Sequence, residues 1–177
     1  MTPRAYRLCF VCTGNICRSP MAEIICRELL PGYGLGDGLV TVSSAGTDSW
    51  HEGEGADPRT VRELTAAGYP GGERHVARGF TAADLTAHDL IVALDRGHLA
   101  ALRRLAPTPA DAARIRLLCP DGTDVPDPYY GGPEGFTACR ELIEAALPHL
   151  LTEVGTAIGT ATGTDAATAH HGKQHLA

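Results

Sequence analysis

The chain has 177 residues, of which 44% are hydrophobic and 20% charged, and its net charge is −6. This length and balance are typical of one soluble globular domain. The negative charge argues against a nucleic-acid-binding protein, and the lack of about 18 consecutive apolar residues argues against a membrane span. We therefore predict neither a nucleic-acid partner nor a membrane association.

The sequence contains six cysteines, which are too few for a disulfide scaffold. The N-terminal segment lacks the pattern of a signal peptide, so free thiols in the cytoplasm are expected. Cys12 and Cys17 are spaced too widely for a C-x-x-C zinc site. We predict neither a metal nor a cofactor.

Apolar runs and turn residues predict strands that alternate with helices. In chain order they are a strand at 6–11, a helix at 19–31, a strand at 39–44, a helix at 58–67 capped by Asp57-Pro58, a short helix capped by Thr81, a strand at 89–94, a helix at 95–105, a strand at 114–119 and a helix at 135–151. This order predicts an α/β fold, with a four-stranded parallel sheet and helices on both faces. Residues 155–177 have no apolar pattern, which predicts a disordered tail after a domain of residues 1–154.

The run from Cys12 to Pro20 directly follows the first predicted strand. Five residues between a cysteine and an arginine make a loop that can wrap one tetrahedral oxyanion with its N–H groups, and Gly14 supplies conformational freedom. Arg18 can bind two oxygens with its planar guanidinium. Ser19 and Pro20 are predicted as the N-cap and first residue of a helix, which would place the anion at the positive end of the helix dipole. The same field would hold Cys12 as a nucleophilic thiolate.

A second motif, Asp127-Pro128-Tyr129-Tyr130, lies between the fourth predicted strand and the last helix. In a parallel sheet this loop can emerge at the same edge as the loop at Cys12. The Asp127 carboxyl would supply the proton that a leaving oxygen needs, and the two tyrosines would line a slot for an aromatic ring.

The two motifs together resemble the low-molecular-weight protein tyrosine phosphatase family, and its bacterial members most closely. The likeness covers about residues 6–153 and implies a flavodoxin-like three-layer sandwich. It implies hydrolysis of phosphotyrosine and small aryl phosphates through a phosphocysteine, with Cys12 as nucleophile, Arg18 as phosphate ligand and Asp127 as general acid and base. The implied partners are tyrosine-phosphorylated proteins, with inorganic phosphate or similar oxyanions in the site.

The resemblance also implies supporting roles. Asn15 would brace the loop, Ser19 would hydrogen-bond the Cys12 sulfur, and His75 would support the loop through Asn15. Taken alone, His75 is equally compatible with a surface or packing role. His88, His98 and His149 are predicted to be structural. The residues expected to bind substrate are Thr13, Gly14, Asn15, Ile16, Cys17, Ser19, Tyr129 and Tyr130, with Trp50 on the opposite wall of the slot.

The role of Cys17 has two interpretations. In one, only its backbone amide contributes, as part of the anion nest. In the other, its thiol forms a reversible disulfide with Cys12 under oxidation and protects the nucleophile.

Two rival functions use the same loop. An arsenate reductase would need further relay cysteines, and the later ones, Cys119 and Cys139, lie 20 residues apart. A phosphotyrosine-binding module without turnover would retain the nest but would be expected to lack Cys12, Arg18 or Asp127. All three are present, which favours the hydrolase.

Overall fold

The computed structural model describes residues 4–170, and describes side chains through residue 159. Strands and helices alternate along this part of the chain, with two short 3₁₀ turns at Leu30–Tyr33 and Gly72–Arg74. The elements are β1 (Tyr6–Cys12), α1 (Arg18–Leu29), β2 (Val40–Gly46), α2 (Pro58–Ala66), α3 (Ala82–Ala87), β3 (Leu90–Ala93), α4 (Arg96–Leu105), α5 (Pro109–Ala112), β4 (Ile115–Leu117) and α6 (Pro133–His170).

The four strands form one parallel sheet in the order β2-β1-β3-β4. Successive side chains of β1 face opposite sides, as the period of a strand requires. Leu8 and Phe10 belong to a core shared with α1 and α6, whereas Cys9 and Val11 belong to a second core shared with α3 and α4. The predicted α/β fold, a flavodoxin-like three-layer sandwich, is confirmed.

Helix caps account for several element boundaries. Asp57 caps α2 by accepting from the Arg59 N–H, with Pro58 in the first turn, as predicted. Thr81 and Asp84 form a reciprocal capping box at the start of α3. Helix α5 was not predicted, although Thr108 before a proline carries the same kind of signal and its side chain caps the turn.

The predicted N-cap of α1 was wrong by two residues. The helix begins at Arg18, with Cys17 at the N-cap, so Ser19 lies inside the first turn. The Ser19 hydroxyl contacts the Cys12 sulfur at 3.0 Å and thus does not cap the helix. Pro20 is still tolerated, because the first-turn N–H groups have no partner within the helix.

The last helix continues past its predicted end at residue 151. Helix α6 runs through residue 170, so residues 155–170 are helical where the sequence predicted a tail without regular structure. Val154 is buried and Ile158 packs on the core, which extends the apolar stripe by two turns. The remainder of the predicted tail, residues 171–177, lies outside the described residues. Among the helices of the described part of the chain, none is sufficiently long and apolar to cross a membrane.

Candidate active site

The carboxyl ends of three neighbouring strands meet around the loop that follows Cys12. The register pairs Cys12, the last residue of β1, with Gly46, the last residue of β2. Beyond the sheet, the Thr47 N–H donates to the Cys12 carbonyl at 2.8 Å and the Asp48 N–H to the Thr13 carbonyl at 3.0 Å. The backbone after β2 therefore supports the loop from one side, at the edge where parallel sheets bind ligands.

The Cys12 sulfur is buried at the base of this loop and has a hydroxyl beside it. Cys12 is only 3% exposed, and its Sγ lies 3.0 Å from Ser19 Oγ. Ser19 Oγ also accepts from Asn15 Nδ2 at 2.8 Å. A hydroxyl held in this way can donate to a thiolate and stabilise its charge.

Asn15 connects the loop to its supports. It is fully buried and adopts a left-handed backbone conformation with φ of 57°. Its Nδ2 donates to Ser19 and Ser44, its Oδ1 accepts from the Arg78 N–H, and its carbonyl accepts from His75 Nε2 at 2.7 Å. The contact between His75 and Asn15 that the resemblance implies is therefore present, and these bonds hold the strained conformation in place.

Gly14 does not supply the left-handed conformation of the loop. The left-handed residue of the loop is Asn15, whereas Gly14 does not have a positive φ. A side chain at Gly14 would bring its Cβ within 2.9 Å of His51 Cδ2. The glycine thus allows His51 to pack directly against the loop.

The Arg18 guanidinium is almost fully buried, and its orientation is fixed by protein groups. Its Nη1 donates to Asp95 Oδ2 at 2.8 Å and to the Val125 carbonyl at 3.0 Å. Its Nη2 lies 3.8 Å from Asp127 Oδ2. Asp95 lies two residues after the end of β3 and caps α4, so it lies at the same edge of the sheet as Cys12. That position was a signal that the sequence analysis did not use.

His98, which is predicted to be structural, contacts the loop that follows Cys12. Its Nε2 is 2.8 Å from Thr13 Oγ1 and 3.5 Å from Arg18 Nη2. Burial, together with the neighbouring Arg18 charge, lowers the pKa of His98 to about 4. The imidazole is therefore neutral at physiological pH and adds no charge to the site.

Asp127 lies at the mouth of the same pocket, and its side chain is 41% exposed. The pocket has a volume of about 330 Å³. Loop residues form its floor, and two exposed aromatic residues, Trp50 and Tyr130, stand on its rim with Tyr129. The lining residues are Cys12, Thr13, Gly14, Ile16, Cys17, Arg18, Asp48, Trp50, His51, Asp127, Tyr129 and Tyr130.

The structure thus separates the predicted site residues into two groups. One group supports the loop through hydrogen bonds and does not line the pocket; it consists of Asn15, Ser19 and His75. The remaining predicted residues line the pocket. Two residues that were not predicted, Asp48 and His51, also line the pocket. Further supports of the loop were not predicted either, among them Glu23, which accepts from the Ser44 hydroxyl at 3.2 Å.

The arrangement combines a buried thiol, a cationic clamp, a carboxyl and an aromatic rim. Backbone N–H groups at the start of α1 and the Arg18 guanidinium can neutralise a tetrahedral dianion. The sulfur at the base of the loop can attack such an anion, and the carboxyl at the mouth faces the leaving side. The aromatic rim suits a flat ring attached to the anion.

Comparison with known proteins gives a consistent result. The sequence profile described as "Low molecular weight phosphotyrosine protein phosphatase" matches residues 7–158. A protein of Streptomyces coelicolor named "Low molecular weight protein-tyrosine-phosphatase" is 56% identical over 156 residues, which cover 84% of this chain and 93% of the relative.

Solved structures agree with the sequence comparison. A protein tyrosine phosphatase from Entamoeba histolytica, with Hepes in its active site, superposes with a TM-score of 0.80 at 32% identity, covering 86% of this chain and 99% of that one. Vibrio vulnificus Wzb in complex with benzylphosphonate gives a TM-score of 0.73 at 29% identity, covering 84% and 98%.

Proposed function

The chain belongs to the low molecular weight phosphotyrosine protein phosphatase family and is a protein tyrosine phosphatase; we propose that it acts through Cys12 as nucleophile, Arg18 as phosphate ligand and Asp127 as proton donor and acceptor. The observation that carries these assignments is the meeting of the three side chains in one pocket. We propose tyrosine-phosphorylated proteins as its substrates.

In the first step, Cys12 Sγ attacks phosphorus and the bond from phosphorus to the phenolic oxygen breaks. Asp127 gives its proton to that oxygen, so the product leaves as a neutral phenol and the phosphoryl group remains on sulfur. Arg18 and the loop N–H groups bind the equatorial oxygens, where charge accumulates. Support for the assignment of Arg18 comes from its anchoring by Asp95 and Val125, which aims the guanidinium before substrate binds.

In the second step, water attacks the phosphocysteine. Asp127, now a carboxylate, takes a proton from this water, the bond between sulfur and phosphorus breaks, and inorganic phosphate leaves. The Cys12 thiolate is restored, with the Ser19 hydroxyl 3.0 Å from it available to donate to the departing sulfur. One carboxyl serves both steps, because the leaving phenol and the entering water use the same face.

The recognition of phosphotyrosine is proposed to depend on the rim of the pocket. Trp50 and Tyr130 are 87% and 89% exposed, which is unusual for large aromatic side chains and leaves their faces available to a substrate ring. The benzylphosphonate held by Vibrio vulnificus Wzb combines the same two chemical parts, an aromatic ring and a tetrahedral anion.

The test is hydrolysis of p-nitrophenyl phosphate and of a phosphotyrosine peptide by the purified protein. We expect both activities to be lost in Cys12→Ser, while this variant still binds inorganic phosphate through the loop and Arg18. Rapid denaturation in alkali during turnover should trap a phosphoryl group on Cys12 of the wild type. Hydrolysis that survives Cys12→Ser would overturn the assignment of the nucleophile.

A further inference from the structure

Arg59 lies in the first turn of α2, and its guanidinium is bonded on both sides. Its Nε and Nη2 donate to the two carboxylate oxygens of Asp57 at 3.0 and 2.8 Å. Its Nη1 donates to the backbone carbonyl of Tyr129 at 3.0 Å. All three guanidinium nitrogens are thus engaged, which fixes the plane of the group.

The Asp57 side of this arrangement reaches the catalytic loop. The Asp57 N–H donates to the Ile16 carbonyl at 2.9 Å, directly joining the N-terminus of α2 to the loop that begins at Cys12. Asp57 is only 8% exposed, and its hydrogen bonds from Arg59 hold its pKa below the usual range. The hydrogen bonds from Arg59 therefore favour the charged form of Asp57 and with it the ion pair.

The Tyr129 side reaches the loop that carries Asp127. The Arg59 guanidinium lies 5.3 Å from the centroid of the Tyr129 ring and 4.6 Å from that of the buried Phe136 ring, at the start of α6. These distances fit cation–π contacts. The Tyr129 N–H donates in turn to Asp127 Oδ1 at 3.1 Å, so two hydrogen bonds lead from Arg59 to the carboxyl.

We propose that Arg59 is a positioning residue, which joins the Cys12 loop to the Asp127 loop and thereby fixes the carboxyl relative to the nucleophile. The inference rests on the proposed role of Asp127. Before Asp127, the loop is held by the bond between Val125 and Leu94 and by Arg18. Beyond Asp127, Arg59 holds the loop through its hydrogen bond to the Tyr129 carbonyl. Removal of Arg59 therefore frees the carboxyl at its C-terminal side and leaves the bonds from Arg18 to Asp95 and Val125 in place.

A positioning role and a merely structural role predict different dependence on the leaving group. p-Nitrophenolate departs readily without a proton, whereas phenolate needs one. If Arg59 acts through Asp127, its removal selectively slows phenyl phosphate. If it only stabilises α2, both substrates slow equally.

The experiment compares kcat/KM for phenyl phosphate and p-nitrophenyl phosphate in the wild type, Arg59→Ala, Arg59→Lys, Asp127→Asn and the double variant Arg59→Ala/Asp127→Asn. We expect Arg59→Ala to lose about tenfold more on phenyl phosphate, a part of the roughly 10²- to 10⁴-fold effect of a general acid. Arg59→Lys keeps the charge but lacks the planar fork whose separate nitrogens reach Asp57 and Tyr129, so it should show the same selectivity. Inhibition by inorganic phosphate should change less than about twofold, because the Arg18 anchors are untouched.

Two variants make the result interpretable. Arg62→Ala removes the same charge from the exposed side of α2, and it should keep the wild-type ratio of the two substrates. The double variant should be no more selective than Asp127→Asn alone, since both changes disable one proton transfer. Equal losses on the two substrates in Arg59→Ala, with a selective loss in Asp127→Asn, would overturn the positioning role alone. An absence of selectivity in Asp127→Asn would overturn the acid role and this inference with it.

Discussion

At the residue scale, the site depends on a few polar side chains whose hydrogen bonds are made by protein groups before any substrate binds. Asn15 has partners for its side-chain amide, its side-chain carbonyl and its backbone carbonyl. Arg18 has two oxygen acceptors at 3.0 Å or less. Groups fixed in advance need little reorganisation when charge develops in the transition state. Single changes at this scale should therefore have measurable effects.

His98 should make the stability of the protein fall with falling pH. Its pKa is about 4 in the folded state, against 6.5 for the unfolded chain, so only the unfolded state binds the proton between these values. The free energy of unfolding should drop by up to about 3 kcal/mol as the pH falls from 6.5 to 4. Urea unfolding at a series of pH values measures this slope. The slope should be smaller in His98→Gln, and an unchanged slope would contradict the contribution of His98.

The disulfide interpretation of Cys17 predicts that its thiol traps an oxidised nucleophile. Peroxide converts the Cys12 thiolate to a sulfenic acid, and the Cys17 sulfur then attacks it with release of water. Burial raises the pKa of the Cys17 thiol to about 12, so closure should accelerate with pH. Intact mass after mild peroxide should fall by about 2 Da and recover with dithiothreitol. Cys17→Ser should instead gain oxygen, and the same gain in the wild type would leave Cys17 only its amide in the nest.

At the scale of elements, the active site is the place where strand ends, loops and helix starts meet. Strand β1 ends at Cys12, strand β2 ends at Gly46, and Asp95 follows strand β3. These three strands are adjacent in the sheet, and α1 and α4 begin beside their ends. This arrangement follows from parallel strands with crossover helices, which bring every strand-to-helix loop to one edge. Close contacts between the loops then decide whether the phosphate nest keeps its shape.

Gly46 is predicted to be essential for the close approach between the backbone that follows β2 and the loop that follows Cys12. A Cβ at this residue would lie 2.5 Å from the Thr13 carbonyl oxygen and 2.8 Å from that of Asp48, both of them backbone atoms. Gly46→Ala should therefore displace the loop and weaken inhibition by inorganic phosphate at least about tenfold, with a matching loss of kcat/KM. Gly32→Ala is the control, since no atom lies within 4 Å of its Cβ position. An inhibition constant like that of the wild type in Gly46→Ala would show that the loop can adjust.

At the scale of the whole molecule, one sheet with a core on each face carries a site at one edge. The core that contains Phe10 also includes α1 and α6, so the nucleophile loop and the last helix share one packed layer. The extended α6 contributes Val154 and Ile158 to this layer. The position at which the domain ends therefore depends on how far α6 packs against this core, and truncation can test it.

Truncation should place the functional end of the domain after residue 158. A chain that stops at residue 153 loses the buried Val154 and the packing of Ile158, and its free energy of unfolding should fall by about 2–3 kcal/mol. A chain that stops at residue 159 should unfold like the full chain and keep its activity. Chemical denaturation of the three lengths measures the difference. Equal destabilisation of both truncated chains would contradict the contribution of Val154 and Ile158, because the whole loss would then come from residues after 159.

The sequence by itself determined the alternation of elements, the fold class and the central chemistry. Strand and helix periods, and the caps at Asp57 and Thr81, are local signals, because they depend on neighbours within a few residues. The spacing from Cys12 to Arg18 is local too, since one short loop must enclose one anion. The family of the chain could be inferred from these residues together with the motif at Asp127.

Only the tertiary structure decided which distant groups hold that chemistry in place. His98 meets Thr13 across 85 positions of sequence, and Arg59 meets Tyr129 across 70. The end of α6 likewise depended on the core that Val154 and Ile158 reach. Such contacts leave no periodic trace in the sequence, because they arise from the packing of elements that are far apart along the chain.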